Sequence, residues 1–174
     1  MPRDRDKWIE EPAWSWTAYL ITGKEIRLTS VDLLGEVVEM SSPERRERSE
    51  HRVHGYLISS WILQALAAEY LLKSLSIRDA GRFSKTHDLL QLFKALDLDT
   101  QAEIARQGAQ EGIDIPELLK KHRSAVVEWR YPFEEMSAIP EPQELDDVLA
   151  VLVGVCEPGS PQARRMMEHL TQPS

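Results

Sequence analysis

An ion-pair motif and a histidine lie close together in the most apolar part of the chain. Glu69 and Lys73 are four residues apart in the order that favours a helical ion pair, and His87 follows beside Asp88 where the next helical pattern starts. The pair can lie at the edge of a buried face, or Glu69 can be desolvated and accept hydrogen bonds from the following loop. We expect the edge position for the pair and a structural role for His87.

A second group of polar side chains lies on a later predicted helix. His122 and Arg123 precede Arg130 by about two helical turns, so these side chains can share one face. Two arginines on one face can hold phosphate oxygens, and Tyr131 can add a stacking surface or a hydroxyl. The alternative is a solvated basic stripe in which Trp129 and Tyr131 anchor the core.

The sequence does not identify catalytic residues, and His87, His122 and Arg123 are the candidates in case the chain is an enzyme. A histidine can transfer protons, and an arginine can stabilise a charged phosphate. The sequence contains no Walker A loop, no GxSxG elbow and no HExxH motif. His51 and His54 lack the carboxylates or cysteines that would complete a metal site. We therefore predict neither a metal nor a cofactor.

Composition narrows the class of protein. The chain has 174 residues, a formal net charge of −8 and one cysteine. The negative charge argues against a surface that binds nucleic acid everywhere, so any RNA contact must be local. One cysteine excludes an internal disulfide. No secretory signal and no apolar run of about 20 residues is apparent, and we expect a cytoplasmic protein that does not contact membranes.

Helical periodicity dominates the chain and predicts an all-α fold. Ser41 is predicted to begin the second helix, and Thr86 to cap the third after a polar connection over residues 78–85. The segment 33–38 fits either a helix or a strand. The predicted helices cover residues 14–38, 43–77, 86–96, 100–110, 113–131 and 145–155.

Three stretches resemble the HEPN domain family in their order and spacing. They are residues 67–73 (AAEYLLK), 83–92 (FSKTHDLLQL) and 129–132 (WRYP). The resemblance implies an up-and-down helical bundle that forms homodimers, in a superfamily rich in toxin–antitoxin and phage-defence ribonucleases of prokaryotes. We predict a flexible segment at 1–12, the HEPN-like bundle with its N-terminal helix at 13–135, and a short C-terminal helical extension at 136–174.

Catalytic members of this family carry an Arg and, four to six residues later, a His on a late helix, and two copies meet across the dimer to cut RNA without metal. In this chain Arg123 is followed by no histidine on its predicted helix. Arg82 and His87 have the right spacing, but they lie in a different element, so we interpret that match as a coincidence.

The sequence therefore predicts a binding or regulatory module for a nucleotide or RNA, acting in a toxin–antitoxin or phage-defence system. Arg123, Arg130 and Tyr131 are the predicted ligand residues, and Glu69 and Lys73 organise the site together with His87. The expected partners are a second copy of the chain and an antitoxin or other protein. A metal-independent endoribonuclease and a purely structural dimerisation module are the alternative functions.

Overall fold

Helices make up most of the computed structural model, which describes residues 8–12, 15–41, 50–128 and 142–157. The predicted all-α helical bundle is confirmed. None of the helices in these ranges combines the length and apolarity needed to cross a membrane. The elements are β1 (Trp8–Glu10), α1 (Ser15–Met40), α2 (Glu50–Ala80), β2 (Arg82–Ser84), α3 (Leu89–Lys94), α4 (Leu98–Gln110), α5 (Ile115–Lys121), α6 (Ala125–Glu128) and α7 (Pro142–Cys156).

The two longest helices, α1 and α2, form an antiparallel hairpin. Ser74 Oγ near the end of α2 donates a hydrogen bond to the Trp16 carbonyl at the start of α1 (2.9 Å). Further along, a Cβ on Gly23 would lie 3.0 Å from the Leu71 side chain, so glycine lets the helices approach closely. Both predicted long helices are confirmed where the structure describes them, and residues 33–38 are helical. The predicted start of the second helix, residues 43–49, lies outside the described residues.

The core surrounds the second half of α2. Leu71, Leu72 and Leu75 are fully buried there, and α7 packs against α2 while also contacting α1, α4 and α5. The predicted helix at 145–155 is confirmed as α7, and its Leu145 and Leu149 have no exposed surface. The helix at 142–156 is therefore an integral part of the same core.

Cys156, at the end of α7, lies inside this core. Its Sγ is 3.7 Å from the Leu71 carbonyl oxygen. Burial raises the pKa of the thiol to about 12, because a thiolate is poorly solvated in apolar surroundings. The side chain thus acts as a small apolar residue that joins α7 to α2.

Arg78 shows that the end of α2 was placed wrongly by the sequence pattern. The predicted polar connection starts at residue 78, but α2 continues to Ala80 and Arg78 is almost completely buried. Its guanidinium donates to Asp79 (2.7 Å) and to the Val155 carbonyl of α7 (2.9 Å). A buried charge needs such partners, and α7, distant in sequence, supplies one of them.

A two-stranded antiparallel sheet, β1 and β2, was not predicted. Trp8 pairs with Ser84, and Glu10 pairs with Arg82. Residues 1–12 are predicted to be flexible, yet 8–10 form the edge of this sheet. Strands of three residues show too little alternation to be recognised from sequence. Gly81, at φ +66°, makes the tight bend that turns the chain from α2 into β2.

The predicted continuous helix over 113–131 is wrong, because α5 ends at Lys121 and a turn separates it from α6. In this turn the Arg123 carbonyl accepts a hydrogen bond from the Leu89 amide of α3 (3.0 Å). That contact satisfies an amide at a helix N-terminus, where no partner exists within the helix. The interruption therefore follows from a tertiary contact that a local pattern does not contain.

Candidate functional site

Glu69 on α2 is the centre of the candidate site. One of its carboxylate oxygens lies 2.5 Å from Lys73 Nζ and 3.0 Å from His87 Nδ1, and the other lies 3.1 Å from the same ring nitrogen. The Glu69 side chain is only 7% exposed. The expected position at the edge of a buried face is therefore wrong, and the desolvated alternative is correct. We call Glu69, Lys73 and His87 the His87 cluster.

The imidazole of His87 is half exposed, at 50%, although its carboxylate partner is buried. Nδ1 donates to Glu69, because an ionised carboxylate only accepts hydrogen bonds. In neutral His87 the Nε2 atom then carries no proton, and with no hydrogen-bond partner among the described residues it can accept an external proton. The ring lies in the loop between β2 and α3, where the Thr86 hydroxyl accepts a hydrogen bond from the Asp88 amide (3.1 Å).

Aromatic rings form the apolar side of the His87 cluster. Lys73 Nζ lies 4.9 Å from the centre of the Phe83 ring, a cation–π contact. Tyr19 of α1 packs between Phe83 and Tyr70, with ring centres 5.4 and 5.6 Å away. Burial, and then the negative charges of Glu11 and Glu69, raise the pKa of Tyr19. Its phenol therefore stays protonated and cannot act as a base near neutral pH.

Arg123 is held beside the His87 cluster by Asp88. Asp88 Oδ1 accepts the Gln91 amide (2.9 Å) and so caps α3, a role that the sequence pattern wrongly gave to Thr86. Its other oxygen accepts hydrogen bonds from Arg123 Nε (2.9 Å) and from a terminal guanidinium nitrogen. Burial alone would raise the pKa of Asp88, but the Gln91 amide and Arg123 outweigh it and lower that pKa.

His122 lies in a separate group, which we call the His122 cluster with Lys121 and Glu144. The His122 side chain is 6% exposed, and its Nε2 is 2.9 Å from a Glu144 carboxylate oxygen. Lys121 Nζ lies 2.7 Å from both oxygens of Glu144. Hydrogen bonds from Lys121 first, and from His122, lower the pKa of Glu144. These contacts join α5 to α7.

The loop that carries His87 also presents basic side chains beside an aromatic ring. Arg82 of β2 stacks on the Trp8 ring of β1, with 4.9 Å between the guanidinium carbon and the ring centre. Lys85 is exposed, and it has no ion-pair partner among the residues that the structure describes. Neither Trp8 nor Lys85 was a candidate from sequence, because the strand pairing that places Trp8 there was not predicted.

The structure thus divides the candidate residues that were chosen from the sequence. Glu69, Lys73 and His87 contact one another, and Arg123 joins them through Asp88, while His122 faces α7. Arg130 and Tyr131 lie outside the described residues. Within the described ranges, no three or more His, Cys, Asp or Glu side chains are grouped so that they could hold a metal ion.

A family model for the HEPN domain matches residues 54–158 of this chain. The match spans more than half of the chain, so the chain belongs to the HEPN domain family, as the resemblance implied. It runs from the first turns of α2 to just beyond α7 and includes both histidine clusters. No curated protein and no solved structure matches the chain significantly.

Proposed function

We propose that this HEPN domain is a binding module that recognises the phosphate of RNA or of a nucleotide, in a toxin–antitoxin or phage-defence system of a prokaryote. The loop from Arg82 to Asp88 would be the contact surface. The observation that carries the proposal is the half-exposed His87 ring, which a buried carboxylate holds from behind. A ring fixed in this way offers a preorganised polar group to a ligand.

The charges around His87 support an anionic ligand. Glu69 and Lys73 neutralise each other, as do Asp88 and Arg123, so Arg82 and Lys85 supply the remaining positive charge of the loop, beside the carboxylates of Glu10 and Glu11. Lysine and arginine bind phosphate oxygens, and the half-buried indole of Trp8, with Arg82 on one face, can offer its other face to a base. A small basic surface of this kind fits a protein whose net charge is −8. Arg130 and Tyr131 complete the proposed ligand residues on the grounds of sequence alone.

Binding of a labelled single-stranded RNA and of ATP at several salt concentrations tests this proposal. We expect the double variant Arg82→Ala/Lys85→Ala to bind about tenfold more weakly and to reduce the salt slope of log affinity by about one to two. Lys120→Ala is the matched control, because Lys120 is an exposed lysine on α5 whose ion-pair partner in the described part of the chain is Glu117. Unchanged, salt-insensitive affinity in the double variant would contradict the proposal.

The geometry of Glu69 and His87 also favours a second function, a metal-independent endoribonuclease. A carboxylate that binds Nδ1 of a half-exposed histidine is the arrangement that orients a general base. Nε2 of His87 would accept the proton of a ribose 2′-hydroxyl, and Arg123 or Lys85 would stabilise the charge on the phosphate.

RNA incubated with the protein in EDTA separates the two functions. Cleavage that His87→Ala abolishes and His122→Ala retains would support the enzyme, because His122 is buried against Glu144. If the wild type does not cleave RNA even at high protein concentration, the binding module stands. A folded dimer that neither cleaves nor binds RNA or ATP would favour the third function, a structural dimerisation module.

A further inference from the structure

The outer face of α1 carries an apolar stripe that no described element covers. Of the six large apolar side chains that are exposed in the described residues, four lie on α1 and are between 44% and 74% exposed. They are Ile21, Leu28, Val31 and Val38, which we call the α1 stripe. Their spacings of seven, three and seven residues correspond to the a and d positions of a heptad repeat. Apolar residues at this spacing form the seam of a coiled coil.

An acidic row runs beside the α1 stripe with the same period. Glu25, Asp32 and Glu39 are exposed, lie seven residues apart and occupy the heptad e positions. The described residues include no ion-pair partner for any of the three. Of the neighbouring cations of α1, Lys24 lies at the d position between Ile21 and Leu28 and forms an exposed pair with Glu157, and Arg27 pairs with Asp146 of α7. Both cations thus have partners at the end of α7 or within it, and the described residues leave the acidic row open to positive charge from a partner.

The opposite side of α1 accounts for the packing of this helix in the fold. Gly23 and Ser30 are buried, and Tyr19 contacts Phe83 at the His87 cluster. By contrast, apart from the surrounding stretch of α1 itself, no described residue lies within 4 Å of the position that a Cβ of Gly35 would take, next to the α1 stripe. From residue 21 to residue 38 the stripe extends for about 26 Å at 1.5 Å per residue. A partner helix of about five turns would be long enough to cover the stripe.

We propose that this face binds an amphipathic helix of a partner protein, with apolar residues at heptad spacing and Lys or Arg residues opposite the acidic row. Positive charges at the flanking positions set the choice of partner in such pairs. A second copy of α1 fits less well, because antiparallel pairing would bring e positions, and hence Glu25 and Asp32, close to their own counterparts. This surface is distinct from the proposed phosphate-binding loop.

The test uses two synthetic helical peptides of about three heptads, which are just long enough to cover the stripe at 1.5 Å per residue. Both have Leu at a and d; one has Lys and the other has Glu at e and g. We expect the full-length protein to bind the Lys peptide at least tenfold more tightly, in fluorescence anisotropy titrations. The triple variant Glu25→Lys/Asp32→Lys/Glu39→Lys should reverse this preference, which a merely sticky apolar surface would not show.

The α1 stripe itself is tested by Leu28→Ser/Val38→Ser, which should weaken binding of the Lys peptide at least tenfold. Leu98→Ser is the matched control, since Leu98 is an even more exposed leucine on α4 and should leave the affinity unchanged. Circular dichroism verifies the fold of each variant. Equal affinity for the two peptides, or no binding of the Lys peptide, would overturn the proposal. Self-association that Leu28→Ser/Val38→Ser abolishes would also overturn it and assign the face to a second copy.

Discussion

Both the His87 cluster and the His122 cluster contain a histidine hydrogen-bonded to a glutamate. The glutamate is the more buried of the two in the first cluster, and the histidine is the more buried in the second. In the first, the ring is 50% exposed and Glu69 is 7% exposed. In the second, the ring is 6% exposed and Glu144 is 23% exposed. A buried carboxylate behind an exposed ring leaves an imidazole that can meet a ligand or a proton. A buried ring behind a more exposed carboxylate joins two helices. Burial, rather than residue type, therefore separates the functional candidate from the structural one.

Glu69→Ala should have the largest effect on stability. The substitution leaves the Lys73 ammonium buried without its partner, and breaking a buried pair from one side costs about 3–5 kcal/mol in free energy of unfolding. Urea denaturation measures the loss. In the double variant Glu69→Leu/Lys73→Met, which removes both charges, most of that stability should return. A loss below about 1 kcal/mol in the single variant would show that Glu69 is solvated after all.

His122→Ala should have the second-largest effect on stability. The free energy of unfolding should fall by about 1–3 kcal/mol, because the variant loses the hydrogen bond to Glu144 and the packing of the buried ring. Thermal unfolding at neutral pH measures it. Lys120→Ala, two residues earlier and on the exposed side of α5, is the control and should stay within about 0.5 kcal/mol of the wild type. If both variants behave alike, the contact between α5 and α7 contributes nothing to stability.

The lowered pKa of Glu144, the carboxylate of the His122 cluster, predicts that the free energy of unfolding depends on pH. The pKa of Glu144 is lower in the folded protein than its ordinary value of 4.5. Its contribution to stability is therefore complete above that value and disappears as the pH falls through the lower folded pKa. Denaturation midpoints between about pH 6 and pH 3 should fall less steeply for Glu144→Gln than for the wild type. Identical slopes would mean that Lys121 and His122 do not favour the ionised form of Glu144.

His87→Ala should have the smallest effect on stability, within about 1 kcal/mol, because half of the ring is exposed and Glu69 keeps Lys73 as a partner. Binding of RNA or ATP should nevertheless fall several-fold, and calorimetry on the same sample compares the two effects. A stability loss as large as that of His122→Ala, with unchanged binding, would make the two clusters equivalent and remove the case for a site at His87.

The long helices were predictable because neither contains a proline within its bounds and both are rich in residues that favour helices. Over 26 residues of α1 and 31 of α2, this composition outweighs Gly23 and Gly55. The strands were not predictable, since three residues supply no period. The break between α5 and α6 arises from the hydrogen bond between Leu89 and Arg123, which lie far apart in the sequence. Local patterns contain no signal for it.

The residues of the candidate site could be predicted from the sequence, but their burial and contacts could not. Glu69, Lys73 and His87 stood out from the sequence, and the hydrogen bond from the loop to Glu69 was one of two open alternatives. Burial decided between them, and burial depends on how Phe83 and Tyr19 pack around the pair. The partners of His122 and Arg123 were missed because Glu144 and Asp88 lie 22 and 35 residues away from them.

The rate at which Cys156 reacts with a thiol reagent can measure how often α7 separates from α2. The Cys156 sulfur, at the end of α7, lies 3.7 Å from the Leu71 carbonyl oxygen of α2. Burial raises the pKa of the thiol to about 12 and keeps it protonated in the folded state. An alkylating reagent can therefore reach a reactive thiolate only when α7 separates from α2. Because the chain has one cysteine, the labelling rate of the unmodified protein reports that separation, and adding RNA or a partner helix would show which of them slows it.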